Sequence, residues 1–153
     1  MPLATLEEAR SFLERQLTGP VAGQPWVQHV EHDPAIDRWY VRFGCDGRDA
    51  ATIYFDLRQR SLYHELYFMP APDAGADGTA NASLWEWLLR RNRSLFATHF
   101  ALGTDGDVYL VGRTPLEDLD ETTLDHVIGA LYEATETWFQ AAVTIGFRSR
   151  SAG

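Results

Sequence analysis

The chain has 153 residues, 45% of them apolar, and carries a formal charge of -9 with a pI near 4.9. This length suits one domain with a single core over residues 1–153, and this charge repels phosphate backbones and anionic lipid, which argues against nucleic acid and membrane as partners. All thirteen basic residues are arginine, so Schiff-base and P-loop lysine chemistry are excluded, and the lone Cys45 excludes an intrachain disulfide.

Glu7, Glu8 and Glu14 stand where a secretory signal would be basic and then apolar, and no apolar run approaches the ~20 residues that span a bilayer. The expectation is a cytoplasmic protein. Thr5 and Glu8 form a capping box, and Leu6, Ala9, Leu13 and Leu17 then recur at helical spacing until Gly19-Pro20, which predicts a first amphipathic helix. Trp26 to His32 alternates weakly and leaves an extra N-terminal strand open. Residues 39–45, 51–57 and 62–69 alternate strongly and are joined by short turns, so they predict three antiparallel strands paired in sequence order.

The two faces of these strands differ in chemistry. Trp39, Val41, Phe43, Ile53, Phe55, Leu57, Leu62, Leu66 and Phe68 fall on one face, a core face, where Cys45 would be a small buried hydrophobe. Tyr40, Arg42, Thr52, Tyr54, Asp56, Tyr63, Glu65 and Tyr67 fall on the other. Tyrosine favours strands wherever a pleated surface is half-buried, but it also supplies rigid area with a polar tip at recognition surfaces. Tyr40, Arg42, Tyr54, Tyr63 and Tyr67 are therefore the candidate partner-binding face.

Asp73 to Asn81 reads as a surface loop, and Ser83 with Glu86 as the cap of a helix running to about Leu95. On this helix Leu84, Trp85, Trp87, Leu88, Leu89 and Leu95 cover an arc of roughly 200°, wider than the ~100° stripe that one core contact needs. The excess makes Trp85 and Leu89 candidates for a homodimer interface. Phe96 to Leu102 and Val108 to Gly112 predict a hairpin around Asp105-Gly106, with both turn residues at positive φ, and Tyr109 joins the tyrosine side if this hairpin belongs to the same sheet. Thr114-Pro115-Leu116-Glu117 opens a short helical turn. A long helix with Leu124, Ile128, Leu131, Thr135, Trp138 and Ala142 on one stripe follows, with Gly146 as its end. Helix, strands, helix, hairpin, helix is an α+β order.

Catalytic signals are missing. His29 and His32 point to opposite faces of a strand, His64, His99 and His126 lack ligand spacing, and Leu116 occupies the position where a calcium loop opened by Asp105 and Asp107 requires glutamate. Neither a metal nor a cofactor is expected, and no serine sits in a nucleophile elbow. The sequence points to a non-enzymatic protein-binding domain. The alternative is a small-molecule sensor with a pocket between sheet and helices, to which Arg91, Asn92 and His99 contribute polar groups.

Trp39 to Phe43, FDLRQRSLYHELYFMPAP from Phe55 to Pro72, LLRRN from Leu88 to Asn92 and FALGTDGDVYLVGRTPL from Phe100 to Leu116 together resemble the YbjN-type domain family of actinobacterial proteins. The resemblance covers roughly residues 36–147. It implies a fold similar to the secretion chaperones of type III systems, in the order α-β-β-β-α-β-β-α. It further implies a small acidic homodimer that holds a protein partner in extended form, or a sensory-transduction or stress regulator.

Overall fold

The computed structural model describes residues 5–73 and 79–151. Helix α1 (Leu6–Gln16) starts where Thr5 Oγ1 accepts the Glu8 amide at 3.1 Å, and it buries Ala9 and Leu13. The helix does not stop at Gly19-Pro20. It widens over Leu17–Val21, because Pro20 has no N–H to donate and the Ala22 amide reaches back five residues to the Leu17 carbonyl at 3.1 Å.

Six strands form one antiparallel sheet, β1 (Val27–Asp33), β2 (Arg38–Cys45), β3 (Arg48–Leu57), β4 (Ser61–Met69), β5 (His99–Leu102) and β6 (Val108–Pro115), in the spatial order β1-β2-β3-β4-β6-β5. The strand left open by the sequence is β1, at one edge. Helix α2 (Thr79–Asn92) carries the chain to the opposite edge, so the hairpin returns to lie beside β4 and both of its strands join the sheet.

One face of the sheet holds the core. Trp39, Phe43, Ile53, Phe55, Leu66 and Phe68 are buried there against Leu13 of α1, Leu84 and Leu88 of α2, and Leu124, Leu131 and Ala142 of α3 (Glu121–Ser151). Aromatic contacts tie the layers: Phe68 meets Phe139 of α3 at 5.7 Å, and Tyr132 meets both Trp26 and Phe43 at 4.8 and 5.4 Å. All three helices cover this face, the α+β arrangement that the order of elements implies.

Several boundaries differ from the sequence reading. Of the loop expected over 73–81, residues 74–78 lie outside the described residues, and helix α2 already begins at Thr79, so Ser83 is inside it rather than capping it. In the β5–β6 turn only Gly106 has positive φ (85°). The Gly106 amide bonds the Gly103 carbonyl at 3.0 Å and the Gly103 amide bonds the Asp107 carbonyl at 2.9 Å, a longer loop than the two-residue turn expected at Asp105-Gly106. Thr114 stays in β6 and does not cap the short turn Leu116–Asp118; Asp120 caps α3 instead, accepting the Thr123 amide at 2.8 Å. Gly146 does not end α3; a Cβ there would come within 2.8 Å of Pro72 and 3.2 Å of Leu84, so it is a packing glycine. Cys45 is half-buried at the end of β2, where burial pushes its thiol up.

His64 is the titratable group among the buried polar residues of the described chain, beside Thr98, Thr114 and Thr135. It faces inward from β4 at 1% exposure, its Nε2 has no hydrogen-bond partner among the described residues, and burial pulls its pKa down to about 4. Gly112 opposes it on β6, and a Cβ there would stand 2.6 Å from both the His64 ring and the carbonyl of Ala97, itself at φ 68°. Gly112→Ala is expected to destabilise the fold by about 3 kcal/mol, read from denaturant midpoints, since the obstructing atoms include backbone. The unfolded chain binds a proton at His64 near its ordinary value of 6.5, whereas the folded chain does not until about 4. Stability is therefore full above pH 6.5 and falls by about 1.4 kcal/mol per pH unit toward pH 4. His64→Leu should flatten that window when unfolding is followed against pH, and an unchanged slope would refute the assignment.

Candidate partner-binding face

The face of the sheet opposite the helices is laid out by strand register. One row crosses all six strands: Glu31, Tyr40, Tyr54, Glu65, Val111 and His99. Arg38, Asp56, Tyr63 and Arg113 form the row on one side; Arg42 with Thr52, and Tyr67 with Tyr109 and Ala101, lie on the other. Tyr109 thus joins Tyr40, Tyr54, Tyr63 and Tyr67. Tyr54 and Tyr67 are 37% and 38% exposed, and the other three are half-buried by their neighbours on the sheet.

The rings are held in place. Tyr40 and Tyr54 meet edge to face at 5.1 Å, as do Tyr67 and Tyr109 at 5.3 Å. Arg38 lies 5.3 Å above Tyr54 while gripping Asp56 through two bonds of 2.6 and 3.0 Å, and Arg58 lies 4.7 Å above Tyr63. The Tyr67 hydroxyl donates to Asp107 at 3.0 Å and the Tyr109 hydroxyl to Asp105 at 2.6 Å. Burial, then the Asp107 bond, raises the Tyr67 phenol; the Asp105 bond raises that of Tyr109 and holds the Asp105 carboxyl below its usual range. Asp105 and Asp107 thus orient the two tyrosines. Arg42 is exposed and donates to Gln28 at 3.1 Å.

A second surface lies between α2 and the β5–β6 hairpin, an apolar groove of about 270 Å³ lined by Trp85, Leu88, Leu89, Phe100 and Leu102 among others. The wide arc of α2 is largely closed within the chain: Leu84 and Leu88 are buried, and Trp87 and Leu95 pack against the core. Leu89 remains 66% exposed and Leu102 55%, with Trp85 half-buried between.

Arg91, Asn92 and His99 are not brought together into a pocket. The Asn92 amide pairs with the Phe100 backbone, accepting its N–H at 2.8 Å and donating to its carbonyl at 3.2 Å. The Arg91 guanidinium lies 4.9 Å over Trp87, and His99 projects from β5 on the side opposite Phe100. Of the three, only Asn92 lines the groove. The sequence missed the role of Asn92 because its partner is backbone eight residues on, which no side-chain pattern reports.

His32 stacks on Trp39 at 4.1 Å, with Glu14 and Asp37 carboxylates at 3.4 and 3.6 Å. Among the described residues no group of three or more His, Cys, Asp or Glu side chains is placed to hold a metal ion, and no helix is long and apolar enough to cross a membrane.

Comparison with known proteins bears on this face as a whole. The chain is 36% identical over 112 residues to an uncharacterized protein of Mycobacterium leprae, ML2442, covering 73% of this chain and 58% of that one. It is 33% identical over 124 residues to the Mycobacterium tuberculosis protein Rv0487, covering 81% of this chain and 65% of that one. The chain thus spans less than two thirds of the length of these relatives. The model of the YbjN family, described as "Putative bacterial sensory transduction regulator", matches residues 26–143, from the first strand through most of α3 and so including all six strands of the tyrosine face. This chain belongs to the YbjN family.

Proposed function

We propose that the chain is a non-enzymatic, cytoplasmic regulatory adaptor with chaperone-like behaviour, which binds a protein partner in extended form across its tyrosine face. The observation that carries this reading is a six-stranded sheet face, uncovered by any described helix, on which Tyr40, Tyr54, Tyr67 and Tyr109 are held by ring contacts and by Arg38, Asp105 and Asp107, and Tyr63 by Arg58. Rings already held in one arrangement lose little freedom on binding, which is what makes an aromatic surface effective. The regulatory description of the family agrees with a binding role. The extended form of the partner is part of the proposal, motivated by the chaperone-like fold that the sequence resemblance implies.

Affinity capture from the native host followed by mass spectrometry supplies the partner. Against it, Tyr54→Ala with Tyr67→Ala is expected to weaken binding at least ~30-fold, since aromatic anchors contribute about 2 kcal/mol or more each. Thermal unfolding should remain cooperative with a modest loss of stability, because both rings are more than a third exposed. Unchanged affinity would make the face ordinary sheet.

The exposed Leu89 and Leu102 favour a second contact. We propose that Trp85 and Leu89 meet a second copy of the chain, giving a homodimer. Light scattering at micromolar concentration should return about twice 17.3 kDa, and Leu89→Glu should dissociate the dimer with the fold intact, since its desolvated charge would lack a partner. A monomer that binds an apolar dye, and loses it in Leu89→Glu, would instead assign the groove to a small molecule, the sensor reading.

A further inference from the structure

We propose that Glu65 gives the tyrosine face its selectivity, by taking an arginine or lysine side chain of the extended partner segment. This rests on the tyrosine-face reading and names the chemistry of its occupant. Glu65 stands near the middle of the face. Tyr54 lies directly across on β3, Val111 directly across on β6, Tyr63 and Tyr67 two residues away along β4, and Tyr109 one diagonal away.

Its carboxylate differs from the others on this face. Asp56 is gripped by Arg38 and approached by Arg58 at 3.9 Å; Asp105 accepts from Tyr109 and the Asp107 amide. Asp107 accepts from Tyr67 and the Ala71 amide, and Glu31 faces His29 at 3.8 Å. Among the described residues Glu65 receives no hydrogen bond and makes no ion pair. Arg38 and Arg58 are near enough to act on it electrostatically but are committed to Asp56, and the exposed Arg113 makes no ion pair with it.

A half-buried carboxylate with no hydrogen bond or ion pair of its own, offset only by Arg38 and Arg58 acting at a distance, weighs against the stability of the free protein. Burial accordingly raises the Glu65 pKa, with Asp56 and Asp105 adding to it. The group that relieves this arrangement is a cation on an apolar stem. Its methylenes lie along the tyrosine rings, the ring faces attract its charge, and the carboxylate completes the pair. Polypeptide is favoured over a free amine because the row continues on both sides of Glu65, through Tyr54 and Tyr40 on one and Val111 and His99 on the other, beyond the reach of a single side chain. The chain's charge of -9 acts in the same direction.

The test uses the immobilised intact chain and five pools of blocked nine-residue peptides, with random flanks and a central Arg, Lys, citrulline, Gln or Glu. The Arg and Lys pools should be retained about tenfold more than the citrulline pool at 0.1 M salt. Glu65→Gln should abolish that preference while keeping or raising Tm, and Glu65→Lys should shift it to the Glu pool. Equal retention of Arg and citrulline pools, or a preference that survives Glu65→Gln, overturns the assignment. If retention is equal but still needs Tyr54 and Tyr67, only the role of Glu65 falls; if no pool is retained, or the tyrosine substitutions change nothing, the tyrosine-face reading falls too. Displacement of the Arg pool by equimolar free arginine amide would assign the site to a small cation and overturn the polypeptide occupant.

Discussion

The fold is governed by one asymmetry: among the described residues, the helices packed on the six-stranded sheet lie on a single side. Burying Trp39, Phe43, Phe55, Leu66 and Phe68 beneath α1, α2 and α3 stabilises that side by the ordinary removal of apolar surface from water. The other side has no second layer among the described residues and is held by what strands offer each other across the pleat. The edge-to-face tyrosine pairs, the Arg38–Asp56 fork and the two tyrosine–aspartate bonds are that holding apparatus. On this side the side chains hold one another in place across the strands.

The open face also obliges the sheet to manage its seams. The β3–β4 ladder runs from Leu57 opposite Leu62 to Ile53 opposite Leu66. Past that point Arg48 takes over, donating to the Phe68 carbonyl at 2.8 Å, to Tyr67 at 3.3 Å and to its own Ala50 at 3.0 Å, with its guanidinium 4.8 Å from the Phe139 ring. One side chain thus closes a gap between strands and fastens it to α3. At the β1 edge His29 and Glu31 place charge and polarity where a foreign strand would otherwise pair.

Residues that pack by period were legible in the sequence, and residues that act through backbone were not. The alternation in β2, β3 and β4 assigned Tyr40, Tyr54, Tyr63 and Tyr67 to one face and Trp39, Phe55 and Phe68 to the other, and the register agrees residue by residue. The capping of α1 by Thr5 was equally visible. The start of α2, the cap of the short turn Leu116–Asp118, the end of α3 and the β5–β6 turn were misread because several local patterns compete there. Tertiary contacts select among them: Gly146 lies inside α3, where its lack of a Cβ lets Pro72 pack close. Arg91, Asn92 and His99 are close in sequence yet diverge, because two successive positions at the end of α2 and one on β5 point them three ways. Asp105 and Asp107 looked like metal ligands by type and act as hydroxyl acceptors by position.

The Asn92 amide has a consequence for both surfaces at once. Its two bonds to Phe100 imitate one rung of a β-ladder, so the outer edge of β5 is occupied by a piece of α2. The same residue lines the apolar groove. The groove and the edge therefore share one side chain. Whatever shifts α2 far enough to withdraw that amide also uncovers an unpaired N–H and C=O on a strand that is continuous, through β6, with the tyrosine face, and a change at the helix is transmitted to the sheet as a change in what its border can pair with.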